Sequence, residues 1–359
     1  MVSSRWVRAV VGAALMTVAW ASGAQAGTCN LPPWNTPAPG APMGAAVYGH
    51  AVTSDGAFIY SASGGSFFPG GADVTLFQRY DPVANAWTTL APVPTPVGGA
   101  TLAYDAVGGR LFLFGGLDAS LNVLALVQVY TIATNTWVTT GPTLPGPRFA
   151  MGSGLIGGVI YLVGGFSTYN PNLAEMQNWA FNPTTGTYTN RATLPVAKAR
   201  PGSGVSGGRL YVISGQDNTG GLVNTNYEYN PAANTWAARA PTLTAVSSPG
   251  GTALSAMTDE CHGDIIIVGG GTPILGGEAV PPGLSRAPES TNISQLYDVA
   301  ADTWSSGPTL NTGRYALRAA QAGNTLIAFG GYDGSTTVAT VDRIQGPPLP
   351  VQLQSFRVE

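Results

Sequence analysis

Residues 80–87 read Tyr-Asp-Pro-Val-Ala-Asn-Ala-Trp, and four further segments of the chain follow the same plan. In each segment an aromatic residue is followed, seven positions later, by a second aromatic residue. The fifth residue after the first aromatic is always Asn, Asp or Gly, which tolerate the left-handed backbone of a type I turn with a following bulge. Each segment is therefore predicted to form a hairpin of two strands. The aromatic pairs are Tyr80/Trp87, Tyr130/Trp137, Phe181/Tyr188, Tyr229/Trp236 and Tyr297/Trp304.

Six short apolar runs end in a pair of small residues, and five of them precede these hairpins. The runs are rich in β-branched and aromatic residues, as buried strands are, and the pair marks a sharp turn where a Cβ would be crowded. Another strand-like run comes before, as residues 150–156 do before 159–163. Four antiparallel strands repeated at a period of about fifty residues predict an all-β, six-bladed β-propeller. The pairs are Gly64-Gly65, Gly115-Gly116, Gly164-Gly165, Ser214-Gly215, Gly269-Gly270 and Gly330-Gly331.

These residues resemble kelch repeats, whose mark is a double glycine after the second strand and a spaced Tyr and Trp in the outer strands. The resemblance covers roughly residues 30–345 and implies that the aromatic side chains pack between blades. The sixth unit ends after three strands, whereas the segment around Trp34 resembles the fourth strand and exit of the first blade. We therefore predict that this N-terminal strand closes the last blade, which leaves only short, protected edges.

Composition bounds the classes of function. The 49 glycines and 28 prolines alone would suggest disorder, but a hydrophobic fraction of 44% argues against it. A net charge of −3 excludes a broad basic surface, so no nucleic-acid partner is expected. The two histidines, His50 and His262, show no metal-ligand spacing, and there is no acidic calcium loop. We expect no metal and no cofactor.

The N-terminus predicts export. Arg5 and Arg8 precede an apolar stretch, residues 9–20, and Ala24-Gln25-Ala26 forms a small-x-small cleavage site. The stretch is too short to span a bilayer; an uncleaved anchor is the alternative. A periplasmic or extracellular monomer without a membrane span is expected. The predicted parts are a signal peptide at 1–26, the propeller at 27–345 and a C-terminal tail at 346–359.

The two cysteines of the chain both lie in the exported part. An even count in an oxidising compartment favours one disulfide. Cys29 begins the closing strand of blade six, and Cys261 lies in the first-to-second strand loop of blade five. Alternation of strand direction puts both on one face, so we predict that they pair.

One face of the propeller is the predicted binding face, because the fourth-to-first and second-to-third connections emerge there together. Arg148, Arg200 and Arg314 each precede a first strand, next to the central channel, and the kelch resemblance implies binding arginines at this place. Val97 and Ser247 stand at comparable positions. Alternatively, these arginines cap strand ends or hydrogen-bond backbone carbonyls between blades. The candidate ligand residues are Arg148, Arg200, Arg314, Phe67, Phe68, Phe166, Tyr169, Asp217 and Asp333.

These features favour an exported binding or interaction module over an enzyme, and no catalytic residue is assigned. Arginine beside aromatic residues suits a carboxylate, a sugar acid or an acidic peptide, so the expected partner is a protein, a glycan or an acidic ligand. The alternative is an enzyme acting on a sugar acid, resembling the periplasmic kelch sialic-acid mutarotases (N-acetylneuraminate epimerases). It would need a carboxylic acid beside the arginines, for which Asp217 and Asp333 are the candidates.

Two further features leave alternatives open. A copper oxidase like the galactose-oxidase-type kelch enzymes would need two histidines, two tyrosines and a cysteine crosslink, whereas His262 adjoins the cysteine assigned to the disulfide. Blade five has a long second-to-third connection, residues 271–292, rich in Pro and Gly. Loops of this length tend to be functional or disordered. This connection is therefore either a lid over the binding face or a surface loop without a function.

Overall fold

The computed structural model describes residues 29–347, apart from 66–72, 140, 256, 258, 262 and 273–288. Six antiparallel sheets, the blades, follow one another along the chain. The first strand of each blade contacts the first strand of the next, and blade six contacts blade one, so the blades close into a ring around a central axis. This ring confirms the predicted all-β, six-bladed propeller. The predicted signal peptide lies outside the described residues, as does the tail beyond Pro347.

Within a blade the strands lie side by side in chain order, with the first strand next to the axis. The strands of blades one to three are β1 (Ala51–Ser54), β2 (Ile59–Ala62), β3 (Phe77–Asp81), β4 (Ala86–Thr89), β5 (Thr101–Asp105), β6 (Arg110–Phe114), β7 (Val127–Thr131), β8 (Thr136–Val138), β9 (Gly152–Ile156), β10 (Val159–Val163), β11 (Asn178–Asn182) and β12 (Thr187–Arg191).

Blade five contains two additional short strands, Gly271–Thr272 and Glu289–Ser290, which pair with each other inside the long connection predicted at 271–292. Most of that connection lies outside the described residues. One turn of 3-10 helix, Asp259–Cys261, lies between the first and second strands of blade five. No described helix is long and apolar enough to cross a bilayer. The strands of blades four to six are β13 (Gly202–Ser206), β14 (Arg209–Ile213), β15 (Asn226–Asn230), β16 (Thr235–Arg239), β17 (Gly250–Ala253), β18 (Ile265–Val268), β19 (Gly271–Thr272), β20 (Glu289–Ser290), β21 (Ser294–Asp298), β22 (Thr303–Ser306), β23 (Arg318–Ala322), β24 (Thr325–Phe329) and β25 (Val341–Gln345).

The pair of small residues after each second strand has one backbone conformation in all six blades. The first residue has φ between 57° and 63° and the second between 83° and 107°. In blade one these angles belong to Ser63 and Gly64, so the predicted pair Gly64-Gly65 was placed one residue too late. Serine tolerates the first position at some strain. The second position is closed to side chains, since a Cβ on Gly64 would lie 2.8 Å from the Tyr48 carbonyl oxygen.

The hairpin turns hold neighbouring blades together. In blade two, Asn135 has φ 53°, and its side-chain oxygen accepts hydrogen bonds from the Tyr130 hydroxyl at 2.8 Å and the Ala91 amide at 2.9 Å. The Trp137 indole donates to the carbonyl of the same Ala91 at 2.9 Å. The turn residue therefore combines the predicted left-handed backbone with a clamp on the preceding blade. Blades one, four and five repeat this clamp with Asn85/Trp87, Asn234/Trp236 and Asp302/Trp304.

Trp34 confirms the predicted closure of blade six. Its side chain is buried, and its indole donates to the Pro308 carbonyl of blade five at 2.9 Å. Trp87, Trp137, Trp236 and Trp304 make the same contact with their preceding blades. Cys29 and Cys261 form the predicted disulfide, which joins this segment to blade five. The first and last described segments of the chain thus meet in one blade.

The closing segment is less regular than the fourth strands of the other blades. Its Gly40 amide donates to the Val341 carbonyl at 3.1 Å, and the Met43 amide donates to the Ala339 carbonyl at 2.9 Å. Between Trp34 and Gly40 a single bridge, between Thr36 and Ile344, replaces a ladder. Two prolines in that stretch have no amide hydrogen to donate, which explains the irregular pairing.

Candidate functional site

A collar of backbone hydrogen bonds surrounds the axis where each blade begins. The Ala150 amide donates to the Gly99 carbonyl at 2.7 Å, the Arg200 amide to the Ala150 carbonyl at 2.9 Å, and the Ser248 amide to the Arg200 carbonyl at 3.0 Å. Each blade contributes one residue to this collar, and that residue has a left-handed backbone conformation. This conformation turns the chain from the preceding connection into the first strand. The members of this axial collar are Gly49, Gly99, Ala150, Arg200, Ser248 and Ala316.

A cleft of about 380 Å³ lies over the axial collar, on the predicted binding face. We call it the axial cleft. Its walls come from fourth-to-first and second-to-third connections, as predicted for that face. Four charged and four aromatic residues line it, namely Arg200, Arg318, Asp73, Asp118, Tyr48, Phe149, Tyr169 and Tyr315.

Arg200 is the collar member with a cationic side chain. Its guanidinium lies 5.3 Å from the centre of the Phe166 ring and donates to the Gln216 side-chain oxygen at 2.9 Å. The Phe166 ring itself is buried and packs 5.2 Å from the Phe149 ring. These contacts orient the guanidinium without neutralising it, since no carboxylate of the described residues lies within 4.0 Å of it.

Arg318 is a second cation of the axial cleft, and the sequence analysis did not identify it. It is the first residue of β23 and also lines the narrower cavity of about 100 Å³ below the collar. Burial lowers the pKa of its guanidinium to about 10. One of its nitrogens donates to the Leu317 carbonyl at 2.9 Å, and none pairs with a carboxylate in the described part of the chain. The only signal for it was the contrast with the small residues at the same repeat position, Ala51, Thr101, Gly152, Gly202 and Gly250.

Arg314 lies inside blade six instead of in the cleft. Its side chain is fully buried and donates to the carbonyls of Ala328 at 3.1 Å and Thr340 at 2.9 Å. It also forms an ion pair with Asp342. These bonds go to backbone carbonyls, as in the alternative raised for the arginines, but they lie within blade six instead of between blades.

Arg148 and Lys198 occupy the same repeat position as Arg314. Arg148 forms an ion pair with Glu175 at 3.3 Å and lies 4.8 Å from the Trp179 ring centre. The Lys198 amine is buried and donates to the Thr225 carbonyl at 2.8 Å; burial lowers its pKa to about 7. Of the three predicted arginines, only Arg200 lines the axial cleft.

The predicted acids Asp217 and Asp333 hold the turns of their own loops. The Asp217 carboxylate accepts from the Thr219 amide at 2.8 Å and the Gly221 amide at 3.1 Å. The Asp333 carboxylate accepts from the Ser335 amide at 2.8 Å. Neither lines the axial cleft. Tyr169, by contrast, lines the axial cleft. Phe67 and Phe68 lie outside the described residues.

Asp73 and Asp118 are the acids that line the axial cleft, and the sequence analysis singled out neither of them. Burial raises the pKa of the Asp73 carboxyl to about 6; a hydrogen bond from the Gly98 amide opposes this shift, and Asp118 adds to it. Asp118 holds a turn, accepting from the Asn122 amide at 2.9 Å, and the pKa of its carboxyl is lowered, chiefly by the Asn122 side chain. Burial raises the pKa of the Tyr48 hydroxyl to about 12, and the negative charge of Asp73 is the second-largest cause of this rise.

His50 belongs to the core between blades six and one. Its ring is fully buried and lies 5.1 Å from the Phe329 ring. Burial holds the pKa of the His50 imidazole well below its usual value, and the positive charges of Arg318 and Arg314 lower it further. His262 lies outside the described residues. Within the described ranges, no group of three or more His, Cys, Asp and Glu side chains could hold a metal ion.

Comparison with known proteins agrees with the fold. The model of the KLHDC2/KLHL20/DRC7 Kelch-repeats domain matches residues 49–271, more than half of the chain. Kelch-like protein terF of Aspergillus terreus is 26% identical over 292 residues, which cover 78% of this chain and 59% of that protein. Kelch-like protein 38 of Homo sapiens is 38% identical over 98 residues, which cover 27% of this chain and 16% of that protein.

The chain spans less than two thirds of the length of these curated relatives. A solved structure titled "Structure of YjhT" superposes with a TM-score of 0.69 at 18% identity, covering 84% of this chain and 95% of that one. At that identity the likeness shows the fold alone. The repeat signature, the six blades and the domain match agree, and the chain belongs to the kelch-repeat family.

Proposed function

We propose that this protein is an exported binding module whose ligand places a carboxylate in the axial cleft, against Arg200 and Arg318. The observation that carries the proposal is that both guanidinium groups line one cleft and neither pairs with a carboxylate of the described residues. A guanidinium presents a planar fork of donors that matches a carboxylate. A partly desolvated cleft strengthens such a bond relative to water.

The surroundings of Arg200 support a ready-made site. Phe166 and Gln216 already orient the guanidinium, so little side-chain entropy is lost when a ligand binds. Tyr48, Phe149 and Tyr315 line the same cleft and provide the apolar surface that small-molecule sites usually have. Kelch propellers are typically interaction modules, so the carboxylate can come from a sugar acid or from a peptide.

Export is part of the proposal. The Cys29–Cys261 disulfide is typical of oxidising compartments, and the sequence before Cys29 has the plan of a signal peptide. Mass spectrometry of the mature protein tests this point, with cleavage after Ala26 as the expected result. A mature protein that retains residues 1–26 would contradict it.

The binding proposal is tested by calorimetry with matched probes. The acidic probes are glucuronate, N-acetylneuraminate and an acetylated alanine dipeptide; the neutral counterparts are glucose and the amidated dipeptide. We expect only the acidic probes to bind. Tighter binding of the sugar acids would indicate a glycan ligand, and tighter binding of the dipeptide would indicate a peptide ligand. Arg200→Ala and Arg318→Ala are each expected to weaken binding by more than about tenfold, the loss of one charge-assisted hydrogen bond.

The matched control is Arg209→Ala, because Arg209 forms an ion pair with Glu228 at 3.5 Å and does not line the axial cleft. Both test variants introduce a residue that the repeat already has at that position in another blade. Ala316 is equivalent to Arg200, and Ala51 is equivalent to Arg318. The proposal fails if no acidic probe binds, if neutral probes bind equally well, or if both cleft variants bind as the wild type does.

A second candidate is an enzyme acting on a sugar acid, and Asp73 favours it. A carboxyl with a pKa of about 6 can accept and release a proton near neutral pH. The test follows the interconversion of N-acetylneuraminate anomers by nuclear magnetic resonance. Acceleration by the wild type and none by Asp73→Asn would support catalysis. Equal rates with and without the wild-type protein would remove this candidate.

A further inference from the structure

The charges of the axial cleft are divided between its sides. Asp73 belongs to blade one and Asp118 to blade two, whereas Arg200 belongs to blade four. In a closed ring of six blades, blade one lies opposite blade four, so Asp73 and Arg200 approach the cleft from opposite sides of the axis. Arg318 belongs to blade six, next to blade one, and lies at the base of the cleft, where it also lines the cavity below the collar. The acidic residues therefore come from blades one and two, Arg200 lies on the opposite side, and Arg318 lies at the base between them.

Asp73 is unusual at its place in the repeat. Asp73 forms a β-bridge with Gly65, in the connection after the second strand. Four other blades have the same bridge, and there the residue equivalent to Asp73 has a side chain that cannot ionise. These residues are Val123, Ala174, Leu222 and Thr337. Among the described residues, Asp73 takes part in no ion pair and, unlike Asp118, accepts no hydrogen bond that holds a turn of its own loop. It accepts one backbone hydrogen bond, from the Gly98 amide of blade two. A charge that occurs at one place of a repeat, and that takes part in so few contacts there, marks a candidate functional position.

The chemistry of the acidic side favours a cation over a neutral donor. Asp118 raises the pKa of Asp73, which means that the two carboxylates repel each other. A hydroxyl group would donate one hydrogen bond and leave this repulsion in place. An ammonium group would donate and also offset the negative charge.

We propose that the ligand of the axial cleft is an amino-carboxylate, bound with its carboxylate at Arg200 and Arg318 and its ammonium group at Asp73. This inference rests on the proposed function and narrows its ligand class. A ligand of this kind has opposite charges at its two ends, in the same order as the cleft. Opposed charges also orient the ligand, because the reversed pose brings like charges together.

The test compares amino acids of increasing length with acids of equal length that lack the amine. The probes are γ-aminobutyrate, δ-aminovalerate and ε-aminocaproate, against butyrate, valerate and caproate, measured by calorimetry at neutral pH. For the length that spans the cleft, we expect the amine to raise affinity by about fivefold, the size of one partly exposed ion pair. Asp73→Asn is expected to bind both compounds of that length equally and the plain acid as tightly as the wild type does.

Two controls keep the result specific. Asp73→Val introduces the residue that blade two has at this position and must abolish the preference as Asp73→Asn does. Asp217→Asn removes a carboxylate that lies outside the cleft and must leave the preference unchanged. If the plain acids bind through Arg200 but the amine adds nothing, or if the preference survives in Asp73→Asn, the inference is overturned and the carboxylate site stands. If no acid of either series binds although glucuronate, N-acetylneuraminate or the acetylated dipeptide does, the inference alone is overturned; if these acids also fail to bind, the proposed function itself fails.

Discussion

Arg314 and Arg200 stand two positions apart in the repeat and have opposite surroundings. Arg314 is fully buried, donates to the carbonyls of its own blade and pairs with Asp342. Arg200 lies in the axial collar and lines the cleft, with no carboxylate partner among the described residues. The position in the repeat, and not the residue type, separates a charge that stabilises the fold from one available to a ligand.

The largest effect is expected from Arg314→Val. Valine occupies the same repeat position in blades one, two and five, at Val47, Val97 and Val246, so the backbone accepts it. The substitution removes the ion-pair partner of the buried Asp342 carboxylate and leaves it with the Asn35 side-chain amide as a donor. Loss of the partner of a buried charge costs about 3–5 kcal/mol of the free energy of unfolding. Urea denaturation measures it. A loss below about 1 kcal/mol would mean that Arg314 is not a structural charge.

Lys198 offers a test by pH, because its pKa of about 7 lies below the usual 10.5. Between these values the unfolded chain binds a proton that the folded chain does not, so stability rises as the pH rises. The expected gain between about pH 7 and about pH 9 is about 2 kcal/mol. Lys198→Met is expected to lose this slope in urea denaturation at both pH values. An unchanged slope in the variant would assign the titration to another group.

The blades were predictable because their signals lie close together along the chain. Asn135 and Trp137 act within one hairpin, and their spacing alone predicts the turn that the structure has. The closing role of Trp34 was predictable for the same reason, since its neighbours repeat the exit of blade one.

The site was less predictable, because it depends on which way each repeat position points. Arg148 and Arg200 both precede a first strand, yet they stand two repeat positions apart, and only Arg200 lines the cleft. Arg318 lies within a strand, and Asp73 lies at the end of a loop; neither belongs to a motif. Their meaning appears only when equivalent positions of the six blades are compared in space.

Asp73 is expected to reduce stability, in contrast to Arg314. Burial raises its pKa from 3.8 to about 6, so between these values the folded chain binds a proton that the unfolded chain has released. Stability therefore falls as the pH rises from about 4 to about 6 and stays lower above it. After allowance for solvent screening, Asp73→Asn is expected to gain about 1 kcal/mol at neutral pH and nothing near pH 3.5. Thermal unfolding at the two pH values checks this, and a variant less stable at neutral pH would contradict it.

Arg200→Ala is expected to have the smallest effect on stability, although it removes a charge from the same face. The left-handed collar position already holds alanine in blades three and six, at Ala150 and Ala316, with φ of 56° and 53° against 52° for Arg200. The collar bonds use the backbone amide and carbonyl, which the substitution keeps. The free energy of unfolding should therefore change by less than about 0.5 kcal/mol in urea denaturation. A loss as large as that of Arg314→Val would show that Arg200 too is a structural charge, and the contrast between the two positions would disappear.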